Sequence, residues 1–162
     1  MLLDLLRKLK RFVFSPEEKW RKIKFGIAKG YWFLINRQSH TRIEFGLFEL
    51  PLAKYFREFS KGVKVAYDLG AEMGYYSIAL TRLMGEGGRV YAFESNRERT
   101  ARFPELIKRN NLEERIKVSE VYITNRDNVE NTSVDSFVYK KGNPPPHLIK
   151  MDIEGEEFNA LQ

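Results

Sequence analysis

Short apolar runs alternate with stretches of helical spacing from residue 65 onward. Each of four apolar runs ends in, or next to, an acidic residue; they cover residues 65–68, 89–94, 116–121 and 147–152. Between the runs, apolar residues recur every three or four positions, which is typical of helices that pack one face against a sheet. Strands that alternate with helices in this way predict an α/β fold, a doubly wound parallel sheet with right-handed crossovers.

The helical stretches have recognisable boundaries. A helix is predicted from Tyr75 to Gly85, and another over residues 97–111, which Pro104 should divide because proline lacks the backbone donor. Residues 49–61, upstream of the first strand, predict a further helix. Its expected buried face is formed by four large apolar side chains, Leu52, Tyr55, Phe56 and Phe59. Residues 132–137 predict a short extended piece.

The leading part of the chain predicts a helical and hairpin extension. Residues 2–12 place leucines and Phe12 on one side of a helical wheel and basic residues on the other. A capping box at residues 15–18 predicts a second helix that runs to Gly30. Residues 31–36 and 41–45 are rich in aromatic and β-branched side chains, which favours a hairpin between them.

The positive charge of the protein is concentrated in its leading segment. The formal net charge is +6, and residues 1–30 hold nine Lys or Arg against three acids, so the rest of the chain is balanced. This argues against a DNA-binding groove spread over the domain. The basic amphipathic helix over residues 2–12 packs on its own domain or makes a weak contact with a membrane surface or RNA.

The residue inventory limits the chemistry and the location. The chain has no cysteine and only two histidines, His40 and His147, so we expect no metal site. Charges interrupt the first apolar residues too early for a secretory signal, and no apolar run approaches the length of a membrane span. These features predict a cytoplasmic protein.

The stretch from Asp68 to Tyr75 predicts a nucleotide-like ligand site, because a strand, a tight loop and a helix follow one another there. The helix start leaves backbone N–H groups free to bind a ligand. Asp68 would repel a pyrophosphate, and the spacing Gly70-x-x-x-Gly74 does not match the dinucleotide fingerprint. S-adenosylmethionine (SAM) carries a sulfonium and an ammonium group and no phosphate. The loop therefore favours SAM over NAD or ATP.

Acids at the ends of the next strands extend this site. Glu94 ends the second run, where it can accept hydrogen bonds from ribose hydroxyls; the alternative is an ordinary exposed carboxylate. Glu120 either meets the adenine amino group or is a plain surface carboxylate. Because the carboxyl ends of parallel strands meet at one edge of a sheet, we expect these acids to lie beside Asp68 and Asp152.

Four motifs occur in a characteristic order. They are Asp68-x-Gly70-Ala71-x-x-Gly74-Tyr75-Tyr76-Ser77, Val90-Tyr-Ala-Phe-Glu94, Asn110-Asn111 and Leu148-Ile-Lys150-Met-Asp152-Ile-Glu154-Gly155-x-Glu157. From about Gly46 to its end, the chain resembles the FkbM-type SAM-dependent methyltransferases, which have the class I Rossmann-like fold. The last motif is the most family-specific. The first two resemble those of class I methyltransferases generally.

The resemblance implies methyl transfer from SAM to a hydroxyl of a small molecule, sugar or glycan. Together with the strand-end acids it predicts ten cofactor-binding residues: Asp68, Gly70, Ala71, Glu72, Gly74, Tyr75, Ser77, Glu94, Glu120 and Asp152. Asp152 and Glu154 would face the methyl group and the acceptor as catalytic residues, one of them as general base. Alternatively, these carboxylates only balance the positive charge of the cofactor.

The resemblance also predicts how the sheet is arranged. Residues 1–45 would form the extension, and residues 46–162 a partial methyltransferase domain with strand order 3-2-1-4 and strands five to seven missing. The exposed edge of the fourth strand would be covered by a second copy, as a homodimer, or by the N-terminal segment. Two other functions stay open, a non-catalytic module that binds SAM or docks on lipid or RNA, and an RNA methyltransferase.

Overall fold

The computed structural model describes residues 13–161, and the helix predicted over residues 2–12 lies outside them. The strands are β1 (Glu18–Lys22), β2 (Trp32–Asn36), β3 (Val65–Leu69), β4 (Arg89–Phe93), β5 (Ile116–Ser119), β6 (Tyr122–Ile123), β7 (Asn131–Thr132) and β8 (Leu148–Met151). The α-helices are α1 (Thr41–Glu44), α2 (Ala53–Phe59), α3 (Tyr75–Met84), α4 (Arg97–Thr100), α5 (Phe103–Arg109) and α6 (Glu157–Ala160). A 3₁₀ turn spans Leu50–Leu52, and a π-helical turn spans Ser136–Lys140.

The central sheet has four parallel strands in the order β5-β4-β3-β8. This is the predicted order 3-2-1-4, so the Rossmann-like α/β fold is confirmed. Every residue of β3 is buried, because the sheet has an apolar cluster on each face. Helices α3 and α5 and the β1–β2 hairpin contribute to one cluster, and the π-helical turn contributes to the other. Because both faces of the central sheet are covered by apolar side chains, its parallel strands appear in the sequence as apolar runs.

The helix boundaries within this unit follow local chemistry. Helix α3 is closed by Gly85, as predicted. The side chain of Asn96 accepts hydrogen bonds from the backbone N–H groups of Glu98 and Arg99, and so caps α4. Pro104 lies in the first turn of α5, where its missing N–H would have no intrahelical partner. The predicted division at Pro104 is confirmed.

The helix predicted from the capping box to Gly30 is wrong, because β1 forms there and pairs antiparallel with β2, from Glu18 opposite Asn36 to Lys22 opposite Trp32. The hydroxyl of Ser15 accepts a hydrogen bond from the N–H of Glu17 in a local turn. Gly30, with a φ of 92°, helps to turn the chain between the two strands. The strand predicted at residues 31–36 is therefore confirmed with a different partner.

Two further predictions need correction. Residues 41–45, expected to be the other strand of a hairpin, contain the short helix α1. Helix α2 forms as predicted within 49–61, but Ala53 and Phe56 face the core while Leu52, Tyr55 and Phe59 are exposed. Only one side of a seven-residue helix can pack on α3, and the ring of Phe56 occupies that contact by stacking on Tyr76 at 4.5 Å.

The extended piece predicted at residues 132–137 is only partly correct. Asn131–Thr132 forms β7, which pairs with β6, but the chain then turns into the π-helical segment. The carboxylate of Asp127 accepts hydrogen bonds from the backbone N–H of Ser133 and from the hydroxyls of Ser133 and Ser136. These bonds fold the chain back at a point where β-propensity alone favoured a strand.

Candidate cofactor-binding site

A cleft of about 470 Å³ opens at the carboxyl edge of the central sheet. It is lined by residues that follow β3, β4, β5 and β8: Gly70, Glu72, Phe93, Glu94, Ser95, Asn96, Arg99, Val121, Tyr122, Ile123, Asp152, Ile153 and Glu154. Four of these side chains are carboxylates, Glu72, Glu94, Asp152 and Glu154, and one, Arg99, is cationic. We call this region the acidic cleft. In doubly wound folds, ligands bind at this edge.

Glu94 is the most firmly held acid of the cleft. Its Oε2 accepts a hydrogen bond of 2.8 Å from the N–H of Glu72, and its Oε1 accepts one of 2.8 Å from the N–H of Asn96. The guanidinium of Arg99 lies 4.0 Å from Oε2. A carboxylate oxygen can accept more than one hydrogen bond, so both oxygens keep capacity for ligand hydroxyls. The chain fixes this carboxylate in place before a ligand arrives.

Glu72 lies at the outer lip of the cleft. Its φ is 50°, an uncommon conformation for a residue with a side chain, and its carboxylate is 3.5 Å from Arg99. Arg99 therefore contacts two acids of the acidic cleft, while Asp152 and Glu154 have no counter-ion among the lining residues. The cleft as a whole attracts cations and repels phosphate groups.

Asp68 lies beneath the loop rather than at its lip. It is fully buried, and its Oδ2 accepts a hydrogen bond of 2.6 Å from the hydroxyl of Ser77. The ammonium of Lys150 lies 3.2 Å from its Oδ1 and donates a 2.8 Å hydrogen bond to the carbonyl of Gly70. Asp68 and Lys150 are register partners on β3 and β8. We call Asp68, Ser77 and Lys150 the interior triad; it ties two strands and the loop together.

The glycines of the loop are required by chain packing. Gly70 has a φ of 74°, and a Cβ placed on it would lie 1.9 Å from the carbonyl oxygen of Asp152. Gly74 has a φ of 84°, and a Cβ there would lie 2.6 Å from a methyl group of Leu106. Gly70 thus lets the loops after β3 and β8 touch, and Gly74 lets the start of α3 pack on α5.

The predicted site residues fall into two groups. Those that line the acidic cleft are Gly70, Glu72, Glu94, Asp152 and Glu154. Those outside its lining are Asp68, Ala71, Gly74, Tyr75, Ser77 and Glu120. The N–H of Ala71 donates to the carbonyl of Phe93, and Glu120 accepts from the hydroxyl of Thr100. The roles assigned to both groups stay predictions.

The turn after β8 explains the spacing of the last motif. Asp152 and Glu154 face the cleft, Glu154 with a φ of 51° and the next residue, Gly155, with a φ of 104°. Glu157 accepts hydrogen bonds from the N–H groups of Ile153 and Gly155, at 3.0 and 2.9 Å. Hydrogen bonds from backbone N–H groups hold the pKa of Glu157 below its ordinary value. The largest contribution comes from the N–H of Glu157 itself and the next from the N–H of Ile153. The third acid of the motif therefore clamps the turn that presents the first two.

Three features of the site were missed at the sequence level. Lys150 could have been found, because it is a charge within an apolar run that the predicted strand order puts next to Asp68. Arg99 could have been suspected from its place in the first turn after the Glu94 strand. Tyr122 and its two neighbours form the cleft wall on the β5 side, and no local signal in the sequence marks them.

Within residues 13–161, no group of three or more acidic or histidine side chains is arranged to hold a metal ion. No helix in that part of the chain is both long enough and apolar enough to cross a bilayer.

Comparison with known families supports the assignment made from the motifs. Residues 100–162 match the family model described as the methyltransferase FkbM domain. This range includes the Asn110-Asn111 pair and the last motif, whereas the loop after β3 and Glu94 lie before it. The comparison with curated proteins finds no match.

The chain is similar to several solved structures. The FkbM methyltransferase from Methylobacillus flagellatus is 22% identical with a TM-score of 0.53, over 77% of this chain and 39% of that one. P. horikoshii TYW2 in complex with MeSAdo is 18% identical with a TM-score of 0.49, over 70% of this chain and 39% of that one. The Bacillus cereus O-methyltransferase in complex with SAH is 21% identical with a TM-score of 0.46, over 62% of this chain and 44% of that one.

The chain thus spans about two fifths of the length of the solved structures that it matches. At these identities the likeness concerns the fold, and the family match over residues 100–162 adds the sequence evidence. The predicted resemblance is therefore confirmed over residues 100–162, which match the FkbM methyltransferase domain model, and the fold is shared with a solved FkbM methyltransferase.

Proposed function

We propose that the acidic cleft binds SAM and that the protein is a methyltransferase that acts on a hydroxyl group. The observation that carries this proposal is the charge of the cleft, four carboxylates with one guanidinium, at the edge of the sheet where nucleotide-like ligands bind. A cationic ligand gains from this charge, while a nucleotide phosphate would be repelled.

The residues of the cleft fit SAM in three respects. Its volume falls in the range of small-molecule sites, roughly 300 to 1,000 Å³. Glu94 is held with both oxygens beside the cleft, which suits a pair of ribose hydroxyls. Tyr122 and Ile123 offer a partly apolar wall for a base. When bound, SAM would supply a methyl group made electrophilic by its sulfonium.

The chain itself would bind the acceptor and manage its proton. Asp152 and Glu154 lie on the turn clamped by Glu157 and line the cleft. A carboxylate there can accept a hydrogen bond from an acceptor hydroxyl, orient its oxygen, and take the proton as that oxygen becomes a nucleophile. A small molecule, a sugar or a glycan with a free hydroxyl is the acceptor class that this arrangement suits.

Titration calorimetry on the 162-residue chain tests the cofactor part of the proposal. We expect SAM to bind more tightly than S-adenosylhomocysteine, which lacks the sulfonium charge, and we expect ATP and NAD not to bind. Asp152→Asn should weaken SAM binding more than S-adenosylhomocysteine binding, because both ligands carry an ammonium group but only SAM carries the sulfonium charge as well. Glu98→Gln is a matched control, since Glu98 is exposed and outside the cleft lining. Binding of ATP as tight as that of SAM would refute the proposal.

A further inference from the structure

The exposed apolar side chains of the described residues are not scattered evenly. Six of them come from two adjacent segments, residues 47–59 and the turn at Phe25: Phe25, Leu47, Leu50, Leu52, Tyr55 and Phe59. Each is between 44% and 60% exposed. The two segments touch, because Gly26 and Gly46 pack so closely that a Cβ on Gly26 would lie 2.8 Å from the carbonyl oxygen of Gly46. We call these six residues the docking patch.

Helix α2 shows that the patch is presented by a fixed element. Ala53 is buried, and the ring of Phe56 stacks on Tyr76, so one side of the helix is anchored to the core. The opposite side carries Leu52, Tyr55 and Phe59, and the rings of the last two stack at 6.3 Å. Large apolar side chains that are exposed together on one side of an anchored helix mark that side as a place of interaction.

Basic side chains surround the apolar ones. Lys54, Arg57 and Lys61 lie on or just beyond the same helix, and Arg42 lies near Leu47; all four are exposed. The ammonium of Lys54 is 5.9 Å from the centre of the Tyr55 ring. Two exposed acids, Glu49 and Glu58, lie among these cations, and Glu49 also accepts a hydrogen bond from the hydroxyl of Tyr76. Four exposed cations against two exposed acids leave a net charge of +2. The surface is therefore both apolar and positive.

From this combination we propose that the docking patch binds an anionic lipid surface, with its leucines and aromatic rings at the headgroup level and its basic side chains on the headgroups. Charge argues against two other occupants. Residues 1–12 hold four Lys or Arg and one Asp, so this segment of the same chain would place like charges against the patch. A second copy packed face to face would do the same. RNA would match the charge but not the exposed leucines, which offer no stacking surface for bases.

The inference is independent of the cofactor and can be tested without it. The full chain is sedimented with vesicles of phosphatidylcholine alone, or of phosphatidylcholine mixed with phosphatidylglycerol. We expect binding only to the mixed vesicles, and weaker binding as salt is raised. The variant Tyr55→Ser with Phe59→Ser should bind about tenfold more weakly or worse, because both apolar anchors are lost.

Matched controls distinguish vesicle binding through the docking patch from nonspecific binding by other exposed side chains. Val129→Ser with Tyr139→Ser removes two side chains that are 98% and 80% exposed elsewhere, and should bind like the unchanged chain. Lys54→Glu with Lys61→Glu should weaken binding by about fivefold or more for each charge changed. Arg89→Glu with Lys108→Glu makes the same charge change at exposed positions away from the patch and should have a smaller effect.

A direct reporter of insertion is Phe59→Trp, measured with brominated lipids that quench nearby indoles. Its added fluorescence should shift to the blue and be quenched on mixed vesicles, while Tyr139→Trp should show neither change. The proposal is overturned if mixed vesicles do not bind the chain, or if they bind the patch variants as well as the unchanged chain, because residues 1–12 would then carry the contact. It is also overturned if the patch substitutions abolish self-association or RNA binding while vesicle binding persists.

Discussion

Asp68 and Glu94 belong to neighbouring strand ends of one sheet, yet the structure uses them in opposite ways. Asp68 is fully buried, and its charge is met by the ammonium of Lys150 and the hydroxyl of Ser77. Glu94 lines the acidic cleft and is held by backbone N–H groups of two loops, which do not cancel its charge. An acid at the end of an apolar strand is thus not by itself a ligand contact. Whether such an acid is buried or available to a ligand depends on the residue opposite it on the neighbouring strand.

The largest expected effect comes from removing the cation of the interior triad. Lys150→Met would leave Asp68 buried without its counter-ion, and breaking such a pair costs about 3–5 kcal/mol. Urea unfolding followed by circular dichroism should show this loss. Lys108→Met, at an exposed position, should change the free energy of unfolding by about 0.5 kcal/mol or less.

The double variant Asp68→Asn with Lys150→Met sharpens the comparison. With the buried charge gone, it should be more stable than Lys150→Met alone. If the single and double variants are equally destabilised, the loss comes from packing of the lysine stem, and the ion pair is not what ties β3 to β8.

A smaller effect on stability is expected at the other strand end. Glu94→Ala removes the acceptor of two backbone N–H groups; because Glu94 is only 5% exposed, these donors lose a buried partner and the loss should be about 2 kcal/mol. SAM binding should weaken by about tenfold or more, because charge-assisted hydrogen bonds to the ribose are lost. Calorimetry and urea unfolding measure the two losses separately. Glu98→Ala serves as the control, and unchanged SAM affinity in Glu94→Ala would exclude the ribose role.

The contrast between the two acids also indicates how much of the fold and of the site could be predicted from the sequence. The alternation of apolar runs and helical spacing predicts a parallel α/β sheet, the resemblance to the FkbM-type methyltransferases predicts the strand order, and the run ends predict that Glu94 and Asp152 share an edge with Asp68. The burial of Asp68 depends on its register with Lys150, a contact between residues far apart in the chain. The residues next to Asp68 in the sequence give no indication of this contact.

Two of the incorrect predictions have the same cause. The residues after Ser15 have spacing that suits a helix, but pairing with β2 satisfies their backbone groups instead. In α2 the periodicity predicts a helix correctly and its buried face incorrectly, because the position of Tyr76 selects Phe56 as the contact. Distant parts of the chain thus decide both the type of element that forms after Ser15 and the face of α2 that is covered.

A still smaller effect on folding is expected for Asp152, the cleft acid in the turn after β8. Asp152 is exposed, so Asp152→Asn should change the free energy of unfolding by about 0.5 kcal/mol or less. SAM binding should nevertheless weaken by about fivefold, as expected for one lost charge near a cationic ligand in a partly solvated site. Binding of S-adenosylhomocysteine is the internal reference. If the affinities for both ligands fall equally, Asp152 contacts only what the two ligands share, such as the ammonium group, and it does not stabilise the sulfonium.

The smallest effect is a titration that reports the field of the cleft. Partial burial first, and then the nearby carboxylates of Glu156, Glu157 and Glu154, raise the pKa of the Tyr122 phenol above its ordinary value. Because the folded-state pKa is raised, the stability associated with neutral Tyr122 is fully present below the unfolded pKa of about 10 and is lost as pH rises through the folded-state value.

Glu154→Gln removes one negative charge and should lower the pKa of Tyr122. Glu130→Gln should leave this pKa unchanged, because Glu130 is exposed and is not among the groups that shift it. The ring carbon of Tyr122 in NMR spectra, assigned with Tyr122→Phe, measures the titration. An unchanged pKa in Glu154→Gln would mean that solvent screens the cleft acids from one another, and the negative field would then be too weak to select a cationic cofactor.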